Sequence, residues 1–135
     1  MKAYEALGWW LLNATAVTNI TSTRIYHGLR PQGDSDLPVI NYYELGAGKV
    51  SGGIKSQPFS VNCRDKTPAG ARDLAEEVEI TLTGSARTGM YGTGNGFDVA
   101  RSSLQADQGL IQEQDGDLFN APIDIILVYD LSTVS

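Results

Sequence analysis

Apolar residues near the start of the chain recur at helical spacing. Ala3, Leu7, Trp10, Leu11 and Ala14 form one stripe, which predicts a helix over about 3–18. Trp9 and Leu12 fall away from that stripe, so the helix is apolar nearly all round and needs cover on more than one side. In a chain this short, the second cover is expected to be another subunit. Residues 24–27 (Arg-Ile-Tyr-His) read as a short strand, and a turn-rich stretch follows to Pro38. Residues 39–45 are rich in β-branched and aromatic side chains and read as a strand. Phe59, Val61 and Cys63 alternate with Ser60, Asn62 and Arg64, the period of a half-buried strand. Between these two strands lie four glycines and two lysines in the twelve residues 46–57. That composition predicts a flexible basic arm in a long hairpin.

The best-defined helix begins at Thr67-Pro68. The threonine can accept from free N–H groups of the first turn, and proline suits the first helical position. Ala71, Leu74, Ala75, Val78 and Leu82 form its apolar stripe, with Arg72, Asp73, Glu76, Glu77 and Thr83 facing away. Gly84 marks its end. Residues 84–96 hold five glycines in thirteen positions and are expected to form a loop without a regular element. Strands follow over about 97–104 and 109–114, then an Asp115-Gly116-Asp117 turn signal. Residues 123–129 are apolar on both faces apart from Asp124, which places them inside a covered sheet. The order predicts one α+β domain over 1–135, with two main helices packed on a mostly antiparallel sheet and a long hairpin arm.

Composition narrows the chemistry. The 135 residues make one domain, large enough to fold without staples. A single cysteine, Cys63, excludes an internal disulfide and a cysteine-based zinc site. A single histidine, His27, leaves few ways to build a catalytic triad or a metal cage. Positions 1–12 loosely imitate a signal peptide, but Glu5 interrupts the apolar run and two adjacent tryptophans are unusual there; secretion is not expected. The net charge of −6 argues against nucleic-acid binding by the surface as a whole. The charge is divided, however. Residues 1–72 carry eight Lys/Arg and five Asp/Glu (net +3), whereas residues 73–135 carry two and eleven (net −9). Oppositely charged halves suit head-to-tail association of identical copies.

Candidate motifs mostly fail on inspection. Gly92-Thr93-Gly94-Asn95-Gly96 has its third glycine too early for a dinucleotide loop and lacks the strand-to-helix setting. Glu76 and Glu79 share a helix face, but it is the solvated one. Asp115 and Asp117 lack the rest of a calcium loop. No nucleophile-elbow pattern accompanies His27. No catalytic residue, metal ligand or cofactor is expected. Lys49, Lys55, Arg64 and Lys66 are grouped around the predicted hairpin. Repeated about the axis of a ring, they would line a passage for DNA by non-specific phosphate contact.

The ordered set of features resembles the tail terminator, or tail completion, family of long-tailed bacteriophages. The set comprises the Ala-Leu helix, Arg24-Ile25-Tyr26, Leu37-Pro38-Val39-Ile40, Phe59-Ser60-Val61-Asn62-Cys63, the Ala71-to-Leu82 helix and the closing 123–129 strand. The resemblance spans nearly the whole chain and rests on order, not on one motif. It implies a virion structural protein and not an enzyme: a six-fold ring that caps the tail tube and meets the neck of the head. The implied partners are further copies of itself, the tail tube protein and a head-closure or neck protein, with no membrane. The implied location is the head–tail junction, after assembly in the host cytoplasm. The alternatives are a head-closure or neck protein of the same virion, or a small-molecule-binding or hydrolytic domain. The expected subunit or partner contacts are Trp9, Trp10, Lys49, Val50, Ile54 and Lys55, with Arg87, Met90 and Tyr91 from the second glycine-rich loop. Deleting residues 46–57 is expected to abolish joining and leave a folded monomer.

Overall fold

A computed structural model describes residues 2–29, 36–83, 92–94, 96–113 and 118–134. Helices α1 (Ala3–Leu12) and α2 (Thr15–Thr21) open the chain. Strands β1 (Ile25–His27), β2 (Val39–Glu44), β3 (Lys49–Ser51) and β4 (Ile54–Asp65) precede helix α3 (Pro68–Thr83). Strands β5 (Gly92–Gly94), β6 (Phe97–Asp107), β7 (Ile111–Gln112) and β8 (Phe119–Asp130) follow, then a 3-10 turn at Leu131–Thr133. The sheet order is β1-β2-β4-β8-β6-β5, with β3 added to β4 and β7 to β8. Only the β1–β2 pair among these is parallel. The α+β class and the mostly antiparallel sheet agree with the sequence pattern.

The sheet is built on β4 and β8, which pair over twelve residues from Ile54↔Asp130 to Asp65↔Phe119. Directly opposed residues share a face. Phe59, Val61 and Cys63 therefore stand with Ile125, Ile123 and Ala121. All six belong to the buried core, together with Leu74, Val78 and Leu82 of α3 and Leu7 and Leu11 of α1. Two prolines explain where the neighbours of this central pair stop. The Pro58 carbonyl accepts from Leu45 N–H at 2.9 Å, but Pro58 has no donor to return, and β2 leaves the ladder there. The Pro122 carbonyl likewise accepts from Gln108 N–H at 3.1 Å where β6 ends.

On the opposite sheet face polar residues gather at one end, with Pro58, Ile126 and Val128 towards the other. Asn41, Ser60, Asn62 and Asn120 are nonetheless buried there. Asn120 Nδ2 donates to Asn62 Oδ1 at 2.9 Å, and Arg64 Nη1 donates to Asn41 Oδ1 at 3.0 Å. Hydrogen bonding is what makes buried amides tolerable.

Three expectations change. The first helix is two helices. Asn13 caps α1 by donating its side-chain amide to the Trp9 carbonyl at 2.8 Å, and Ala14 is extended. The residues of 84–96 include a strand after all. Gly92–Gly94 pair with β6 from Gly92↔Val99 to Gly94↔Phe97, using backbone groups that need no side-chain propensity. The 46–57 segment is also not one loose connection. Gly52 and Gly53 have φ of +59° and +82°, the two positive values that a tight type I′ hairpin turn requires. Ile54–Gln57 then belong to β4 and pair with both β3 and β8. Deleting 46–57 would cut into the central ladder, so it would not leave a folded monomer. Helix α3 follows its expected course. Thr67 Oγ1 accepts from Gly70 N–H at 3.0 Å, and its stripe residues are buried. The Asp115–Asp117 turn and Gly84 lie outside the described residues.

Candidate assembly interface

Two separate surfaces carry the expected contact residues. The first is a groove of about 440 Å³ where the end of α1 and the start of α2 meet α3, lined by Trp9, Trp10, Asn13, Ala14, Ala16 and Ile80 among others. Trp9 and Trp10 are half-buried and meet edge to face, with ring centroids 5.2 Å apart. Trp10 packs on the core, while Ile80 is 48 % exposed on α3. The break at Asn13–Ala14 separates α1 from α2, and the residues on both sides of it line one groove with Ile80 and Thr81 of α3.

The second surface is the β3–β4 hairpin tip. Val50 is 59 % exposed and Ile54 38 % exposed. The pairing Val50↔Lys55 and Ser51↔Ile54 puts these two apolar side chains on opposite faces of the ribbon. Lys55 shares the face of Val50 and Lys49 that of Ile54, so each face shows one apolar group and one cation. Arg87, Met90 and Tyr91 lie outside the described residues.

The basic group is divided by the fold. Lys49 and Lys55 sit at one end of β4, and Arg64 and Lys66 at the other. Nine residues of strand separate Lys55 from Arg64, roughly 30 Å at about 3.3 Å per residue. Arg64 is also engaged: its Nε donates to Glu113 Oε1 at 2.8 Å. The two pairs are close in sequence to the hairpin but are held apart by the twelve residues of β4, Ile54–Asp65.

His27 lies elsewhere. Its Nε2 meets Glu44 Oε1 at 2.5 Å, and the Tyr4 ring stacks on it at 4.1 Å with planes 9° apart. Tyr42 leans against it at 5.4 Å. This arrangement clamps the start of α1 to the sheet edge, and no serine, threonine or cysteine among the described residues hydrogen-bonds the imidazole. Burial pushes the Tyr42 hydroxyl up to about 12, with Glu44 adding to the effect, and its proton is donated to the Tyr4 carbonyl at 2.9 Å. Burial also raises the Cys63 thiol far above its ordinary value, so it is inert as a nucleophile. Among the described residues no group of three or more His, Cys, Asp or Glu side chains is placed to hold a metal, and no helix is long and apolar enough to cross a membrane.

Ile80 is exposed although the sequence pattern did not single it out, as are Leu29, Tyr43, Leu104, Leu110 and Ile111; Leu12, expected off the α1 stripe, is exposed too. A signal existed for Ile80, the one large apolar residue on the otherwise polar face of the Ala71–Leu82 stripe.

No protein-family model matches the chain, and no curated protein matches it. The fold is similar to that of a chain in the solved structure described as "Virion of native gene transfer agent (GTA) particle". The TM-score is 0.70 at 12 % identity, over 95 % of this chain and 94 % of that one. The likeness is one of fold, spanning both chains almost end to end.

Proposed function

We propose that this chain is a structural protein of a phage-like virion, and more narrowly a tail terminator. In that role a ring of copies caps the tail tube and joins it to the neck. The observation that carries the reading is the near end-to-end match in fold to a chain of a gene transfer agent virion. Two features of the chain itself support it. Exposed apolar residues include two separate groups, one on the hairpin tip and one at the α1–α2–α3 groove, as a heterologous contact between copies requires. Its two halves carry opposite net charge. The partners of such a ring are the tail tube on one side and a head-closure or neck protein on the other. Its place is the head–tail junction.

The test is gold labelling of an epitope-tagged chain in particles from a producing cell, together with particles made without the gene. The reading expects label at the head–tail junction, and unjoined heads and tails when the gene is absent. Label on the capsid shell, or normal joined particles without the gene, would overturn it.

A further inference from the structure

We infer that the hairpin tip around Gly52–Gly53 of one copy seats in the Trp9–Trp10–Ile80 groove of the next. The inference rests on the assembly reading above and specifies which surfaces meet.

The occupant follows from charge. Helical spacing puts Asp73, Glu77 and Thr81 in one row at i, i+4 and i+8, and Thr81 lines the groove beside Ile80. Glu76 faces a different hollow, with Arg72, Glu79 and Asp107. Among the described residues the ion pairs are His27–Glu44 and Arg64–Glu113. Lys49, Lys55, Asp73 and Glu77 form no ion pair among the described residues. An apolar groove from which Glu77 and Asp73 run back along α3, one and two turns from Thr81, fits an apolar tip flanked by lysines. The hairpin shows Val50 on one face and Ile54 on the other; β8 flanks it along Ile54 and Lys55, so the β3 side and the Gly52–Gly53 turn are what it offers a partner.

Position excludes self-insertion. Lys55 lies beside Ala3 and Tyr4, at the start of α1. The groove lies at the far end of that ten-residue helix, about 15 Å away at 1.5 Å per residue. The tip of one subunit therefore reaches the groove of another. Repetition of such a head-to-tail contact gives a ring when the rotation closes. One tip in one groove is a small interface, so a single contact is weak and closure supplies the avidity. Exposed charges make it salt-dependent.

Cysteine pairing tests this on the full chain, because the native Cys63 is fully buried. Purified Val50→Cys and Ile80→Cys proteins are mixed at low salt under mild oxidation, and non-reducing gels read the covalent dimer. The expected result is a dimer in the mixture, largely lost at high salt and absent from either variant alone. A control mixture of Val50→Cys with Leu104→Cys, exposed elsewhere on β6, gives none. Adding Lys49→Glu and Lys55→Glu to the Val50→Cys chain abolishes the dimer, and Asp73→Lys with Glu77→Lys on the Ile80→Cys chain restores it. A dimer no more abundant than in the control mixture, or one indifferent to the charge changes, overturns the inference. The two readings fail separately. A cross-link without junction label in particles removes the virion role and leaves the contact. Junction label without the cross-link removes the contact and leaves the role.

Discussion

Gly8 of α1 lies directly against the hydroxyl end of Tyr42 in β2. A Cβ built at Gly8 would overlap the Tyr42 oxygen, and that oxygen is held in place by its bond to the Tyr4 carbonyl at 2.9 Å. The helix is thus seated on the sheet by a missing side chain and a hydrogen bond at the same spot. Gly8→Ala forces either the helix or the ring to move, although alanine is the better helix former. The expected result is a loss of about 1–3 kcal/mol, the usual cost of overpacking, read as a lower denaturant midpoint at unchanged slope. An unchanged or higher midpoint would show that α1 does not sit this close.

The same hydroxyl predicts an alkaline limit to stability. The Tyr42 value is about 12 in the folded chain against an ordinary 10.0. Below pH 10 both folded and unfolded chains keep the proton, and the contribution of this group is intact. Between pH 10 and 12 the unfolded chain releases it first, so stability falls by up to about 1.4 kcal/mol per pH unit. Tyr129 is shifted in the same direction by burial and adds to the slope. Tyr42→Phe should lower stability at pH 7 by about 1 kcal/mol, the net worth of one hydrogen bond, and flatten the fall above pH 10. Equal slopes in the two proteins would contradict the assignment.

The amide ladder at the polar end of the sheet face opposite the core makes Asn62 the sensitive position. Its Oδ1 accepts from Asn120 and its Nδ2 donates to the Asn41 carbonyl at 3.4 Å. Asn62→Ala removes the partner of the buried Asn120 amide, which should cost about 1–3 kcal/mol. Thermal unfolding would read this as a drop of several degrees. Exposed Asn19→Ala serves as the neutral comparison.

Cys63 should resist thiol reagents. It is fully buried on the inner face of β4, between β2 and β8. Native protein is expected to show no labelling on a timescale that fully labels the chain in denaturant. Fast labelling in native buffer would mean that the sheet opens locally.

Several elements could be read directly from the chain. Helix α3 carried its own start signal in Thr67-Pro68 and a clean stripe from Ala71 to Leu82. The alternation of Phe59, Val61 and Cys63 marked the inner face of β4. Other features depend on tertiary pairing and leave weak local traces. The break at Asn13 is hidden because Ala14 continues the apolar stripe of α1. Ile54–Gln57 show no alternation, and Pro58 and Pro122 read as breakers, yet all lie inside long strands. Each proline occupies the spot where a neighbouring strand ends, which no local pattern announces. Val50 and Ile54, which are exposed, and Trp9 and Trp10, which are half-buried, were legible as apolar candidates for contact. The split of Lys49 and Lys55 from Arg64 and Lys66 was not, because it depends on the full length of β4.

The central claim is that the working form is a closed ring of identical copies, each completing its neighbour. The most direct measurement is electron microscopy of the purified full chain at low salt, with class averages scored for rotational symmetry. The account predicts a six-fold annulus that is lost in the Lys49→Glu, Lys55→Glu protein. Single compact particles of one chain's mass at every concentration, unchanged by those substitutions, would contradict it.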